Sequence, residues 1–259
     1  MNETNYIWLE KINELTHDYH YIAKPRGLEI REKIASQYMV KMPAYLNLID
    51  RKVNLEFMFS EAAWIISGDN KVSTITKYMK RYKDFSDDGI FLNGAYGPKV
   101  VDQLPYIVKT LSEDIDSRQA VINIWREKPA KSKDIPCTLS MQFIVRDGEL
   151  NMVVTMRSHD IVLGFTYDVF SFSMIAKSVQ LLLKEISGID VKLGNLTVTA
   201  GSMHIYSNHY EKSDKWYEGK REESEYIRIM VEKLEEAETY DDLILSLNNL
   251  AKLVNESKS

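Results

Sequence analysis

Cys137 is the only cysteine in the 259-residue chain, and it lies ahead of the apolar run that begins at Thr138. A single thiol in an apolar segment is most often a small core residue. Arg157, Asp160 and Asp168 follow it in the chain. Because a cation favours the reactive thiolate and carboxyl groups transfer protons, this set of residue types also indicates covalent catalysis by a thiol.

Glu61 is a second candidate for chemistry because it interrupts an apolar helical pattern. The segment 54–67 repeats apolar residues at helical spacing, and Gly68 is expected to end the helix. A carboxyl group held among apolar side chains has a raised pKa, which suits proton transfer. The alternative is that Glu61 faces solvent at the edge of its helix.

Composition excludes several classes of function. The net charge of -5 argues against a dedicated nucleic-acid binder, and 44% hydrophobic residues are ordinary for a globular enzyme. No apolar run suits a membrane span, and the polar N-terminal segment lacks the features of a secretory signal, so a cytoplasmic protein is expected. One cysteine cannot form an internal disulfide, and His204 and His209 lack the spacing of metal ligands, so no metal is expected.

The elements that must position these residues form a mixed α+β pattern. Strands are predicted at 120–125, 139–145, 149–156 and 196–206, with a hairpin turn at 146–149. A long apolar helix is predicted from Asp168 to Ile186, ending near Gly188. The order of these elements is not a regular alternation of strand and helix.

The C-terminal segment shows a different pattern. Two amphipathic helices are predicted after Glu222, and Thr239 with Asp242 is expected to form a capping box between them. The predicted organisation is therefore a catalytic domain at 1–219 and a helical extension at 220–259.

Several motifs, in order, resemble the thymidylate synthase superfamily between Arg26 and His209. They are Glu61–Asn70, Tyr96-Gly97, Asp116–Arg118, Pro136-Cys137, Gln142-Phe143, Met156–Asp160, Gly164 and His204–His209. The resemblance implies a fold with a large mixed β-sheet at a homodimer interface, flanked by helices. It also implies active sites shared between two subunits.

The reaction implied by this resemblance uses 5,10-methylenetetrahydrofolate as one-carbon donor. Cys137 adds to C6 of a pyrimidine nucleotide, which makes C5 nucleophilic, and Glu61 carries proton transfers through water. Three arginines are implied at the phosphate: Arg157 and Arg26 from one subunit and Arg118 from the other.

The remaining implied roles concern the substrate and the folate. The resemblance implies that Tyr96 and Ser158 contact the nucleotide. It also implies residues for the sugar and for the folate. His204 and Tyr206 hold the sugar 3'-hydroxyl, while Asp160, Gly164, Tyr82 and Phe85 contact the folate.

Asp168 stands where thymidylate synthases carry the asparagine that reads the base, and Thr138 replaces the histidine that follows their nucleophile. A carboxyl group can accept from the cytosine amine and share a proton with N3, whereas an amide suits uracil. Both residues resemble the deoxycytidylate hydroxymethylase branch known from phages. In isolation, Asp168 could instead be a helix N-cap before Val169.

The sequence thus predicts a transferase that converts dCMP to 5-hydroxymethyl-dCMP in the cytoplasm, of a host cell if a phage encodes it. One alternative is a C5-methylating enzyme acting on dCMP or dUMP. Another is an inactive synthase-like interaction protein, because Gln119 replaces a second arginine and helices replace the usual tail.

Overall fold

A six-stranded mixed sheet organises the computed structural model, which describes residues 1–128 and 131–257. The elements in chain order are α1 (Glu3–His17), β1 (Tyr21–Ala23), β2 (Ile30–Lys41), α2 (Leu55–Ile66), α3 (Val72–Ile75), α4 (Gly97–Glu113), β3 (Val121–Asn123), β4 (Thr138–Arg146), β5 (Glu149–Asp160), α5 (Gly164–Ser187), β6 (Lys192–Tyr206), α6 (Tyr210–Glu218), α7 (Glu225–Glu232) and α8 (Tyr240–Glu256).

The strands lie in the order β1-β2-β6-β5-β4-β3, and β5 and β6 are the one parallel pair among the neighbouring strands described. Parallel neighbours need a long connection, which α5 supplies. This mixture of local hairpins and one helical crossover confirms the predicted α+β class and agrees with a thymidylate synthase fold.

The β4–β5 hairpin forms where the sequence predicts it. Asp147 has φ 50° and Gly148 has φ 73°, which is the pair of positive φ angles that a tight hairpin turn requires. Strand β5 continues to Asp160, beyond the predicted end at Met156. The segment from Arg157 to Asp160 is therefore fixed in the sheet.

Helix α5 begins at Gly164 rather than at Asp168, and it ends before Gly188, whose φ is 68°. Asp160 stabilises this earlier start, because its Oδ1 accepts hydrogen bonds from the backbone N–H groups of Val162 (2.8 Å) and Leu163 (3.2 Å). Asp168 lies inside the helix, so the alternative that it is an N-cap is wrong.

Helices cover one face of the sheet. Helix α5 packs on β5 and β6, α1 on β2 and β6, and α4 on β3, while α2 forms an outer layer against α5, α4 and α8. The other face is open in the single chain, and there Ile34 is 46% exposed and Met39 52% exposed. The predicted sheet-to-sheet homodimer would use this open face.

The C-terminal helices join the same apolar core as the rest of the chain. Leu243, Leu247 and Leu250 of α8 are buried against α2, and the Tyr240 hydroxyl donates a hydrogen bond to the Ile66 carbonyl. The capping box of Thr239 and Asp242 is present as predicted. The boundary at 219/220 stays a prediction.

In the described parts of the chain, no helix combines the length and apolar character needed to cross a bilayer.

Candidate active site

Cys137 lies one residue before β4 and is half-buried. Its carbonyl oxygen accepts a 2.8 Å hydrogen bond from the backbone N–H of Arg157, which ties the thiol segment to β5. Burial raises the pKa of the Cys137 thiol, and the positive charges of Arg157 and Arg26 oppose that effect. The thiolate thus depends on cations for its formation.

The guanidinium of Arg157 holds the chain just ahead of the thiol. Its Nε donates to the Pro136 carbonyl and its Nη2 to the Ile135 carbonyl, both at 2.9 Å. A guanidinium has five N–H donors, so these two bonds leave others for an anion. Arg157 can therefore position Cys137 and still bind a phosphate oxygen.

Glu61 lies in α2, a helix with an N-cap residue at its start and a glycine of positive φ after its end. The Asn54 side chain accepts from the Phe57 N–H at the start of α2, and Gly68 follows its end with φ 75°. The Glu61 carboxyl accepts a hydrogen bond from the Tyr82 hydroxyl. Burial raises the pKa of Glu61 to about 8, against the lowering effect of that bond.

Aromatic rings surround this carboxyl group on the side of Tyr82. The Tyr82 ring lies 5.8 Å from Phe57, 6.3 Å from Trp64 and 6.3 Å from Phe85, measured between centroids. Burial raises the pKa of the Tyr82 hydroxyl well above its usual value, so it remains a hydrogen-bond donor. Tyr82 and Phe85 are thus adjacent, and their role at the folate stays a prediction.

Asp168 joins the Glu61 region to the Cys137 region. Its charge raises the pKa of Glu61, Cys137 and Tyr96, so all four groups share one electrostatic environment. The Asp168 side chain is 23% exposed, and its Oδ2 lies 3.4 Å from Nδ1 of the fully buried His159 side chain. Since Nδ1 of His159 has no aligned hydrogen-bond partner among the described residues, this is a close polar approach rather than a formed hydrogen bond.

Burial raises the pKa of Tyr96, which is also close enough to both Asp168 and Cys137 for their charges to raise its pKa further. The Thr138 hydroxyl donates a 3.0 Å hydrogen bond to the Tyr96 hydroxyl. The next residue must be small, because a Cβ at Gly97 would lie 2.5 Å from the Asp69 carbonyl oxygen. This close approach explains the glycine of the Tyr96-Gly97 motif.

The predicted sugar-binding pair lies at the end of β6. His204 pairs with Asp160 of the parallel strand β5, and its ring meets Tyr206 edge to face at 5.0 Å. His204 is 5% exposed, and burial lowers its pKa. A neutral imidazole at this position can both accept and donate hydrogen bonds.

Two of the predicted folate residues, Asp160 and Gly164, lie at the turn between β5 and α5. One carboxylate oxygen of Asp160 is occupied by the turn, which leaves the other for an N–H of a ligand. Gly164 is the first residue of α5, and a Cβ there would lie 3.2 Å from Oδ2 of Asp168. A side chain at position 164 would therefore crowd the carboxyl group.

The phosphate candidates divide into Arg157 and Arg26, whose charges both act on the Cys137 thiol, and Arg118, which does not contact that region in the described part of the chain. Ser158 is half-buried beside Arg157 in β5, and the exposed Arg26 has a left-handed φ of 53°. Arg118 is exposed, and its carbonyl accepts from the Gln142 side chain at 2.8 Å. Within the described residues, the Arg118 guanidinium has no hydrogen bond or ion pair to the Cys137 region.

Two residues at the site carry no role in the sequence prediction. They are His159 and Tyr38, whose Oη lies 3.0 Å from Nε2 of His159. Strand periodicity conceals His159, because β5 buries Leu150, Met152, Val154 and Met156, and this alternation then shifts at the half-buried Ser158 so that His159 is buried instead. The run of polar residues after Met156, up to Asp160, is the sequence feature that could have indicated a role for His159.

Comparisons with known proteins identify the family of the chain. A family model described as "Thymidylate synthase" matches residues 8–250. A "Deoxyuridylate hydroxymethyltransferase" of Pseudomonas phage M6 is 34% identical over 191 residues, which cover 70% of this chain and 53% of that protein. A protein of the same name from Bacillus phage SP01 is 29% identical over 211 residues, covering 73% and 54%.

The chain spans about half the length of these two curated relatives. Both names specify deoxyuridylate, whereas the sequence resemblance predicts the deoxycytidylate branch, so the relatives support that prediction only at the level of the family. The match over residues 8–250 covers nearly every described element, from α1 to α8. The chain belongs to the thymidylate synthase family.

Proposed function

We propose that this chain transfers a hydroxymethyl group to C5 of a pyrimidine deoxynucleotide monophosphate, and that the base is cytosine. The observation that carries the proposal is the convergence of a thiol, a buried carboxyl with a raised pKa and a second carboxyl. These are Cys137, Glu61 and Asp168, and the charge of Asp168 adds to burial in raising the pKa of both the Cys137 thiol and the Glu61 carboxyl. Such a set supplies a nucleophile, a proton carrier and a base-reading group.

The first step belongs to Cys137. The thiolate attacks C6, the C5–C6 double-bond electrons move to C5, and the new carbanion character is delocalised toward the carbonyl oxygen and N3 of the base. Arg157 and Arg26 favour the thiolate. When a substrate phosphate binds these arginines, it aligns the ring with the sulfur.

The family implies 5,10-methylenetetrahydrofolate as the one-carbon donor, which would supply the methylene group that becomes attached to C5. Residues Asp160, Gly164, Tyr82 and Phe85 would hold it. The free carboxylate oxygen of Asp160 suits a pterin N–H, and the edge-to-face rings of Tyr82 and Phe85 form an aromatic wall. These side chains thus fit a flat, polar heterocycle such as a pterin.

Glu61 then moves the protons. With a pKa raised to about 8, its carboxyl releases and takes up a proton near neutral pH, as the loss of the C5 proton and the activation of water require. The Tyr82 hydroxyl adds a polar group at the same place. We infer that Glu61 and Tyr82 hold the water that adds to the C5 methylene once tetrahydrofolate has departed. Expulsion of the Cys137 thiolate from C6 then restores the C5–C6 double bond of the hydroxymethyl product.

The choice of base rests on Asp168. A carboxyl group can accept from the exocyclic amine of cytosine and share a proton with N3. Uracil is the second candidate, because the two phage relatives are named for deoxyuridylate. A neutral carboxylic acid could bind uracil as an amide does. The choice between the two bases therefore depends on whether Asp168 carries a proton and on which oxygen.

A homodimer would complete the phosphate site. The guanidinium of Arg118 makes no hydrogen bond or ion pair within the described residues, and the open sheet face carries exposed apolar residues such as Met39. We propose that two chains pair through this face and that Arg118 serves the partner's site.

The deciding experiment incubates the full chain with methylenetetrahydrofolate and either dCMP or dUMP, and identifies the product by mass. Hydroxymethyl-dCMP is expected. Hydroxymethyl-dUMP without reaction of dCMP would establish the uracil alternative. A methyl product with dihydrofolate would contradict hydroxymethyl transfer. Absence of tritium release from both [5-³H]dCMP and [5-³H]dUMP, in wild type as in Cys137→Ser, would favour the inactive interaction protein.

A further inference from the structure

His159 forms a polar chain with Tyr38 and Asp168 that crosses three elements. It lies in β5 and is 1% exposed. Its Nδ1 lies 3.4 Å from Oδ2 of Asp168 in α5, and its Nε2 lies 3.0 Å from the hydroxyl of Tyr38 in β2. The rings of Tyr38 and Phe165 pack against the imidazole at 5.8 Å and 6.3 Å. The imidazole therefore has little freedom to turn.

The direction of the Tyr38–His159 hydrogen bond, and with it the tautomer of His159, follows from the groups that surround the phenol. Tyr38 is 4% exposed, and burial raises the pKa of its hydroxyl well above the usual value, so the phenol keeps its proton. Among the described residues, Nε2 of His159 is the acceptor within reach of that proton. A neutral His159 that accepts at Nε2 must carry its hydrogen at Nδ1.

This tautomer places an N–H group close to one oxygen of Asp168, at a 3.4 Å separation that is not aligned as a hydrogen bond. A charged imidazolium would also present an N–H there, so both states place a donor opposite Oδ2. The 3.4 Å separation is long for a hydrogen bond, and contacts of this kind often tighten when a substrate binds. The absence of a side chain at Gly164 leaves the space beside both groups open.

We propose that His159 is a positioning residue that occupies Oδ2 of Asp168 and thereby makes Oδ1 the oxygen that carries any carboxyl proton. The inference rests on the proposed function, because it concerns how the same site reads the base. With Oδ2 restricted to accepting, Asp168 presents one acceptor and one donor in a fixed order. Cytosine and uracil have opposite orders of donor and acceptor along this edge, so a fixed order discriminates between them.

Without His159, the carboxyl proton can reside on either oxygen. Asp168 would then present either order of donor and acceptor, and both bases could be bound. The loss of His159 should therefore reduce base discrimination more than it reduces turnover.

The test compares His159→Leu, which removes the N–H donor, with His159→Asn, which retains one, and Tyr38→Phe, which removes the hydroxyl that orients the ring. His17→Leu at the exposed end of α1 is the matched control. For each variant, kcat and KM are measured separately with dCMP and dUMP, and unfolding temperature is recorded.

His159→Leu should reduce the ratio of kcat/KM values for the two nucleotides at least tenfold, mainly through KM of the preferred one. Tyr38→Phe should reduce it several-fold, His159→Asn should restore part of it, and His17→Leu should leave it unchanged. In an Asp168→Asn background, His159→Leu should no longer alter the ratio, because the amide fixes its own donor and acceptor.

An equal fall of kcat/KM for both nucleotides in His159→Leu, with the ratio preserved, would assign His159 a merely structural role and overturn the inference. That result would leave the proposed function standing. A wild-type chain that neither converts nor binds dCMP or dUMP would overturn the proposed function, and with it the inference.

Discussion

Tyr82 donates its phenolic hydrogen bond to Oε1 of Glu61, which joins the aromatic turn after α3 to the acidic residue in the middle of α2. This bond favours the ionised carboxylate, yet burial raises the pKa of Glu61 to about 8. Burial therefore dominates. Glu61 and Tyr82 thus place a proton carrier and a polar hydroxyl among otherwise apolar aromatic side chains.

The raised pKa of Glu61 makes a testable contribution to stability. Its folded value of about 8 lies above the reference value of 4.5, so the unfolded chain releases this proton first as pH rises. The stability due to the neutral carboxyl is fully present below pH 4.5 and is lost between there and about pH 8.

Glu61→Gln should therefore unfold at a higher temperature than wild type at pH 8.5 and show a smaller difference at pH 5. After allowance for solvent screening, we expect the variant to exceed wild type at pH 8.5 by about 1–2 kcal/mol in free energy of unfolding, or roughly 2–8 °C in unfolding temperature. Thermal unfolding at several pH values measures this. Identical pH profiles for the two proteins would show that Glu61 titrates normally.

Cys137→Ser should abolish both the covalent adduct and turnover, because a serine hydroxyl is far less ionised than a thiol. We expect a loss of at least about a thousandfold, the scale seen when a covalent nucleophile is removed. Tritium release from the C5 position and the mass of the denatured nucleotide complex are the measurements. Persistence of either signal in the variant would exclude Cys137 as the nucleophile.

Asp168→Asn should shift the preferred base from cytosine to uracil. The amide cannot share a proton with cytosine N3, but it offers the donor and acceptor that uracil needs. We expect the ratio of dCMP to dUMP conversion to fall about 10- to 100-fold, as for one well-formed base-edge pair. Competition between equal amounts of the two nucleotides gives this ratio. An unchanged ratio would show that another residue reads the base.

Leu247→Ala should destabilise the whole chain, because this fully buried side chain of α8 packs in the core shared with α2. A loss of about 2–4 kcal/mol is expected, whereas Leu245→Ala on the same helix is the control, since Leu245 is 59% exposed. Urea unfolding measures both variants.

The same experiment examines the predicted boundary between 1–219 and 220–259. One cooperative transition that moves in Leu247→Ala would indicate that α8 folds with α2 and Glu61. An early separate transition would instead support an independent extension.

Local signals were sufficient for several elements. Asp147-Gly148 permits the positive φ angles of the β4–β5 turn, Thr239 and Asp242 form the expected cap of α8, and Gly188 follows α5 in the left-handed conformation. Each depends on interactions within a few residues, which sequence patterns represent directly.

The boundaries of β5 and α5 needed more than local pattern. The sequence indicates that β5 ends at Met156 and that α5 begins at Asp168, but pairing with β6 extends β5 to Asp160. The Asp160 carboxylate then stabilises the turn from which α5 begins at Gly164. The extension of β5 comes from its contacts with β6. The earlier start of α5 follows from it, because Asp160 lies at the end of the extended strand.

By itself, the sequence determined the α+β class, the membership of the family and the identity of the residues that could do chemistry, because residue type and order carry that information. Only the tertiary structure decided which of them share an environment. It placed Asp168 beside the unassigned His159, which in turn contacts Tyr38, and it packed α8 behind the helix of Glu61. Distances between residues remote in the chain arise from packing of the whole fold, and no periodicity encodes them.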